Sequence, residues 1–146
     1  SSAASDVYKR QVMMLNGALG GLVAITAEPL MPTPLMAIII GGIGGALVFA
    51  GTELLTAMKI DDVVGAIPVH LIAGVWGTLA VPITNPDTSF GTQFLGTASI
   101  CVFVFVVSII IWSIMKATIG IRISEEAEKE GTDVAETGVI AYSIRD

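Results

Sequence analysis

The chain has 146 residues, 53% of them hydrophobic and only 14% charged, with 16 glycines, and its mean hydropathy is +0.83. This composition excludes an ordinary soluble domain and fits a polytopic integral membrane protein, an all-α bundle of transmembrane helices. The net charge of -6 comes mostly from the C-terminal end, and one cysteine, Cys101, with one histidine, His70, excludes an intramolecular disulfide and a structural zinc site. No metal and no cofactor are expected.

Residues 1–10 (SSAASDVYKR) are polar and patternless, without the basic-then-apolar order of a cleavable signal peptide, and read as a disordered or artefactual start. A bundle over 11–119 and an acidic tail over 120–146 follow. The first helix is expected over about 11–27, short for the roughly 20 residues that a bilayer core requires. Gly17 and Gly21 stand four apart in it, as small residues do where membrane helices approach closely. Asn16 is its one early polar side chain, either bonded to a neighbouring helix or lining a pore.

Three prolines in Glu28–Pro34 break the chain before a second helix over about 35–58, where Gly41 and Gly45 repeat the small-residue spacing. Lys59, Asp61 and Asp62 then form a charged turn, with Asp62 in N-cap position for a third helix over about 63–83. That helix carries His70, and a histidine in hydrocarbon marks a functional or internally satisfied site because lipid cannot solvate its nitrogens.

On an ideal α-helical wheel, Val63, Ala66, Ile67, Ala73, Gly74 and Gly77 share the histidine face, with alanine and glycine next to it, and Pro68, Ile72, Val75 and Leu79 lie opposite. The small residues imply that His70 faces protein or a cavity, with Ala66 and Gly74 as pore-facing neighbours. Pro68 clashes with the carbonyl four residues back, so a kink with a freed Val64 carbonyl is expected one turn from the histidine.

A polar loop, ITNPDTSFGTQ, precedes a fourth helix over about 94–119 that is apolar all round and suits a lipid-facing position. In the tail, Ser124 and the acids after it form a capped helix start that Gly131 stops. All seven Lys and Arg lie on one side of a four-span chain or at its boundary. The positive-inside rule therefore places both termini in the cytoplasm, and an acidic tail is repelled by an anionic leaflet.

GALGGLVAITA, then DDVVGAIPVH with Gly74-Val75-Trp76-Gly77, then Gly120 to Asp133 with Ala141-Tyr142, together resemble the C-terminal part of the Amt/Mep/Rh ammonium transporter family. The resemblance covers nearly the whole chain after about Met13, and it implies the last four spans of an eleven-helix, trimeric fold with a pore through each protomer. It implies that His70 is one of a pair of pore histidines, that Asn16 lies in the cytoplasmic half of the pore, and that Gly131, Asp133 and Tyr142 belong to a regulatory tail.

The family usually reads FGVHGVGG where this chain reads IPVHLIAG. The implied function is transport of ammonium or ammonia in the cell membrane, with this chain a partial transporter that does not conduct alone. Implied partners are the lipid bilayer, two further copies in a homotrimer and a PII-type regulatory protein on the cytoplasmic face; no nucleic acid is expected. An ammonium sensor signalling through the tail is the alternative, and an enzyme is not expected because no nucleophile or HExxH motif accompanies the histidine. An apolar lumen excludes the costly ammonium ion and admits neutral ammonia, which predicts a neutral, hydrogen-bonded His70.

Overall fold

The structure, a computed structural model, describes residues 2–140 and is all-helical among them. Helix α1 spans Ser2–Ile25, α2 spans Pro34–Ala57, α3 spans Ile67–Thr84 and α4 spans Phe90–Thr118, followed by the short α5, Glu125–Glu130, and α6, Thr132–Thr137. Residues 1–101 and 102–146 form two separate units.

Three boundaries differ from the sequence expectation. α1 begins at Ser2, so the segment read as patternless is helical and continuous with the apolar stretch. α3 begins at Ile67 and not at about 63, because Gly65 takes a left-handed φ of 76° that an α-helix cannot contain. α4 begins at Phe90, with Ser89 accepting the Thr92 N–H at 3.2 Å, so the polar loop is shorter than its composition suggests.

Among the described residues three helices are long and apolar enough to cross a membrane, namely α2, α3 and α4. α1 is not one of them, and its first turns carry Asp6, Lys9 and Arg10.

Local chemistry sets the ends of α2. Thr33 caps its start by accepting the Met36 N–H at 3.3 Å, and Pro34 opens the first turn, where its missing N–H costs nothing. At the other end Lys59 turns left-handed, φ 57°, and the Ile60 N–H reaches back to the Leu55 carbonyl at 3.0 Å, closing the last turn.

α1 and α2 meet through their glycines. A Cβ placed on Gly21 would stand 3.1 Å from the Gly41 carbonyl oxygen, and one on Gly41 would stand 3.3 Å from that of Gly21. The helices therefore touch backbone to backbone, which only residues without side chains permit. α3 packs against this pair: Ala24, Ile40 and Ala80 form one buried cluster, and Val48, Val69 and Ala73 form another. Trp76 locks the first cluster by donating its indole N–H to the Ile40 carbonyl at 3.0 Å. α4 buries none of its residues, in keeping with its uniformly apolar surface.

In the second unit, Gly120 ends α4 in a left-handed conformation, φ 75°, with its N–H on the Met115 carbonyl. Ser124 caps α5 by accepting the Ala127 N–H at 3.2 Å. Gly131, φ 104°, ends α5 and starts α6.

Candidate functional site

The chain leading to His70 is held by three polar anchors. Asp62 accepts the Ala66 N–H on Oδ1 at 2.9 Å and the Ile67 N–H on Oδ2 at 2.8 Å, so one carboxylate satisfies two donors that the start of α3 leaves unpaired. The helix starts later than the sequence suggested, so the carboxylate reaches four and five residues forward and not to the second or third helical position.

Asn16 supplies the second anchor from α1. Its Nδ2 donates to the Val64 carbonyl at 3.0 Å. Pro68 has no N–H with which to bond this carbonyl, and an amide from another helix takes the vacant place.

Gly65 supplies the third. A Cβ there would collide with Asn16 Nδ2, and its φ of 76° disfavours any other residue. The glycine is therefore required twice, for its conformation and for the approach of Asn16.

Pro68 is fully buried, and Gly51 of α2 lies under it: a Cβ on Gly51 would come 3.1 Å from Pro68 Cβ and 2.5 Å from Ile72 Cδ1. The first six residues of α3, Ile67–Ile72, are wound as a π-helix. A π turn places successive side chains differently from an α turn and is frequent at functional sites.

The altered winding corrects the wheel. Pro68, placed opposite the histidine by α-helical geometry, is buried against α2, as are Ala73 and Gly77 within the bundle. His70 is exposed and opens on a groove of about 340 Å³, lined by Leu71, Gly74 and Thr78 of α3 and by Gln93 and Thr97 of α4. Gly74 thus shares the groove with His70. Ala66 does not line it, and its N–H is held by Asp62.

Among the described residues the His70 imidazole makes no hydrogen bond.

Asn16 and Asp62 line a different cleft, of about 620 Å³, together with Thr52, Glu53 and Gly65. No residue lines both cavities, so His70 and Asn16 are not brought together. In the tail, Gly131 would place a Cβ 2.7 Å from Asp133 Oδ1, so these two residues are neighbours. Tyr142 lies outside the described residues.

Two polar features had no signal in the linear pattern. Glu28, in the proline-rich connector, accepts from Asn85 Nδ2 at 2.8 Å across 57 residues of sequence. Thr97, in the midst of an apolar helix, turns its hydroxyl inward. Both are isolated polar residues, which composition alone does not pair.

The sequence profile of the family described as Ammonium Transporter Family matches residues 5–142. Ammonium transporter Amt1 of Haloferax mediterranei is 35% identical over 134 residues, covering 88% of this chain and 26% of that protein. Ammonium transporter Amt2 of Archaeoglobus fulgidus is 35% identical over 151 residues, covering 89% of this chain and 32% of the relative. The ammonium transporter of Bacillus subtilis is 36% identical over 154 residues, covering 93% and 38%. The chain therefore spans less than two fifths of the length of each of these relatives. With the match extending over all four long helices and into the tail, the chain belongs to the Ammonium Transporter Family.

Proposed function

We propose that this chain supplies one wall of a pore that carries ammonium or ammonia across a cell membrane, with His70 as the polar group that the passing molecule meets. What supports the reading is the position of His70: it is the chain's only histidine, it lies in an apolar span, and it opens on a largely apolar groove. Several family relatives carry the name ammonium transporter.

Solvation decides what such a groove passes. An ammonium ion taken from water into apolar surroundings loses a hydration free energy that one imidazole does not replace, whereas ammonia loses far less. A neutral imidazole offers one donor and one acceptor, enough to receive ammonia or to relay a proton. Leu71 and Gly74 line the groove beside it.

The finer assignments belong to the same reading. The apolar part of α1, from about residue 11, joins α2, α3 and α4 as a fourth span with both termini cytoplasmic, the working assembly is a homotrimer, and the tail around Gly131, Asp133 and Tyr142 faces a PII-type regulator. Asn16 acts from the cytoplasmic half as a strut for the His70 segment.

The test is uptake of labelled methylammonium by cells producing the transporter with His70→Ala, normalised to protein in the membrane. A loss of most uptake at unchanged membrane abundance is expected. Uptake equal to that of the unmodified protein would overturn the role given to His70.

A further inference from the structure

The π-wound segment Ile67–Ile72 has an inner and an outer side. Pro68 and Val69 are buried, as is Ala73 just after the segment, whereas His70 and Leu71 are exposed.

One residue of α2 lies under both flanks of the histidine. A Cβ on Gly51 would stand 2.5 Å from Ile72 Cδ1, 3.1 Å from Pro68 Cβ and 3.7 Å from Pro68 Cα. Pro68 is the second residue before His70 and Ile72 the second after it. Residues two apart in a helix stand on opposite sides, so a histidine whose two flanks rest on Gly51 is aimed away from it.

The two flanks differ in how they yield. Ile72 meets Gly51 with the free end of a flexible side chain. Pro68 meets it with a closed ring and its own Cα, so room for even a methyl group comes from moving the backbone. That backbone is tied on both sides: Asp62 holds the Ala66 and Ile67 N–H groups, and the Ala73 N–H bonds the Pro68 and His70 carbonyls. A push on Pro68 is therefore passed to His70.

Gly51 is not required by its own helix. It lies inside α2 without a left-handed φ, where alanine is the better helix former.

We infer that Gly51 is a positioning residue for His70: by admitting Pro68 and Ile72 to the backbone of α2, it sets the depth at which the π-wound segment sits and hence where the imidazole stands in its groove. This inference rests on the conduction role given to His70 and adds the contact that holds the histidine in place.

The experiment places Gly51→Ala in the transporter, with Gly42→Ala, whose added methyl meets nothing within 4 Å, as the control on the same helix. One readout is labelled methylammonium uptake in cells per unit of protein in the membrane. The other is the ring-nitrogen resonances of protein carrying isotope-labelled histidine, where the His70 signal is the one that His70→Ala removes. A misplacement of about 1 Å costs up to about a hundredfold in rate, so the few tenths of an ångström that the new methyl demands are expected to lower uptake about fourfold. The His70 signal is expected to move in Gly51→Ala and to stay in place in Gly42→Ala. Ile72→Val removes Cδ1 and leaves the Pro68 contact, so Gly51→Ala with Ile72→Val is expected to lie between Gly51→Ala and the unmodified protein; this double variant also supplies both readouts if Gly51→Ala does not reach the membrane.

An unmoved His70 signal overturns the inference whatever the uptake, and so does an equal movement in Gly42→Ala. Normal uptake in Gly51→Ala overturns it when His70→Ala is impaired. Failure of both Gly51→Ala proteins to reach the membrane makes Gly51 a folding residue and overturns it too. If His70→Ala transports normally, the conduction role of His70 fails, while a moved His70 signal in Gly51→Ala still upholds the positioning.

Discussion

Asn16 and Val64 are 48 residues apart in the chain and are joined by one hydrogen bond, from the Asn16 amide to the Val64 carbonyl, at 3.0 Å. Val64 lies in the turn ahead of α3, before left-handed Gly65, so its carbonyl has no helical donor and an asparagine from another helix supplies one. Gly65 completes the arrangement, because any side chain there meets the same amide.

That triad predicts a coupled pair of substitutions. Asn16→Ala removes the bond and is expected to lower stability by about 1 kcal/mol. Gly65→Ala forces a left-handed alanine, which costs about 1–2 kcal/mol, and also displaces Asn16. In the Asn16→Ala background the second part of that loss has already occurred, so Gly65→Ala costs less there than in the unmodified protein. Thermal unfolding of the four proteins in detergent measures the coupling directly; strictly additive losses would show that Asn16 and Gly65 act independently.

The contact between α1 and α2 predicts opposite outcomes for adjacent glycines. Gly41→Val drives a branched side chain into the Gly21 backbone and is expected to cost about 2 kcal/mol or more. Gly42→Ala meets nothing within 4 Å and is expected to be neutral or to gain up to about 1 kcal/mol from helix propensity. Unfolding in a denaturing detergent titration ranks the two, and equal losses would mean that the helices do not cross at Gly21 and Gly41.

The Glu28 to Asn85 bond ties the connector after α1 to the end of α3. Asn85→Asp sets two carboxylates against each other and is expected to destabilise by about 1 kcal/mol or more. Adding Glu28→Gln returns a donor to the pair in reversed polarity, so the double variant recovers most of the loss. A double variant no better than Asn85→Asp, judged by melting temperature, would show that the contact is not made.

Much of the architecture was legible because membranes impose a simple requirement on sequence. Apolar runs of spanning length mark α2 and α4 to within a few residues, since backbone groups in lipid must be satisfied within the helix. Gly21 and Gly41 marked a close contact because only small residues allow it. His70 stood out because nothing else in its run is ionisable. The Val64 carbonyl was legible as an orphan, but its partner was not: Asn16 could be read as bonded to a neighbouring helix or as lining a pore, and nothing in the sequence named the carbonyl it meets.

By itself the sequence determined the class of the protein, the helices long and apolar enough to cross a membrane, and the position of its one histidine within such a helix, because these follow from composition and local covalent constraint. Tertiary structure decided which groups meet. The π turn at Ile67–Ile72 rotates the histidine away from Ala73 and Gly77 and toward α4, and no helical wheel predicts it, because the wheel assumes the winding that Pro68 and Gly65 together prevent. The bonds from Asn16 to Val64 and from Glu28 to Asn85 depend on how separate helices pack, a property of surfaces in contact that no local stretch of the chain specifies.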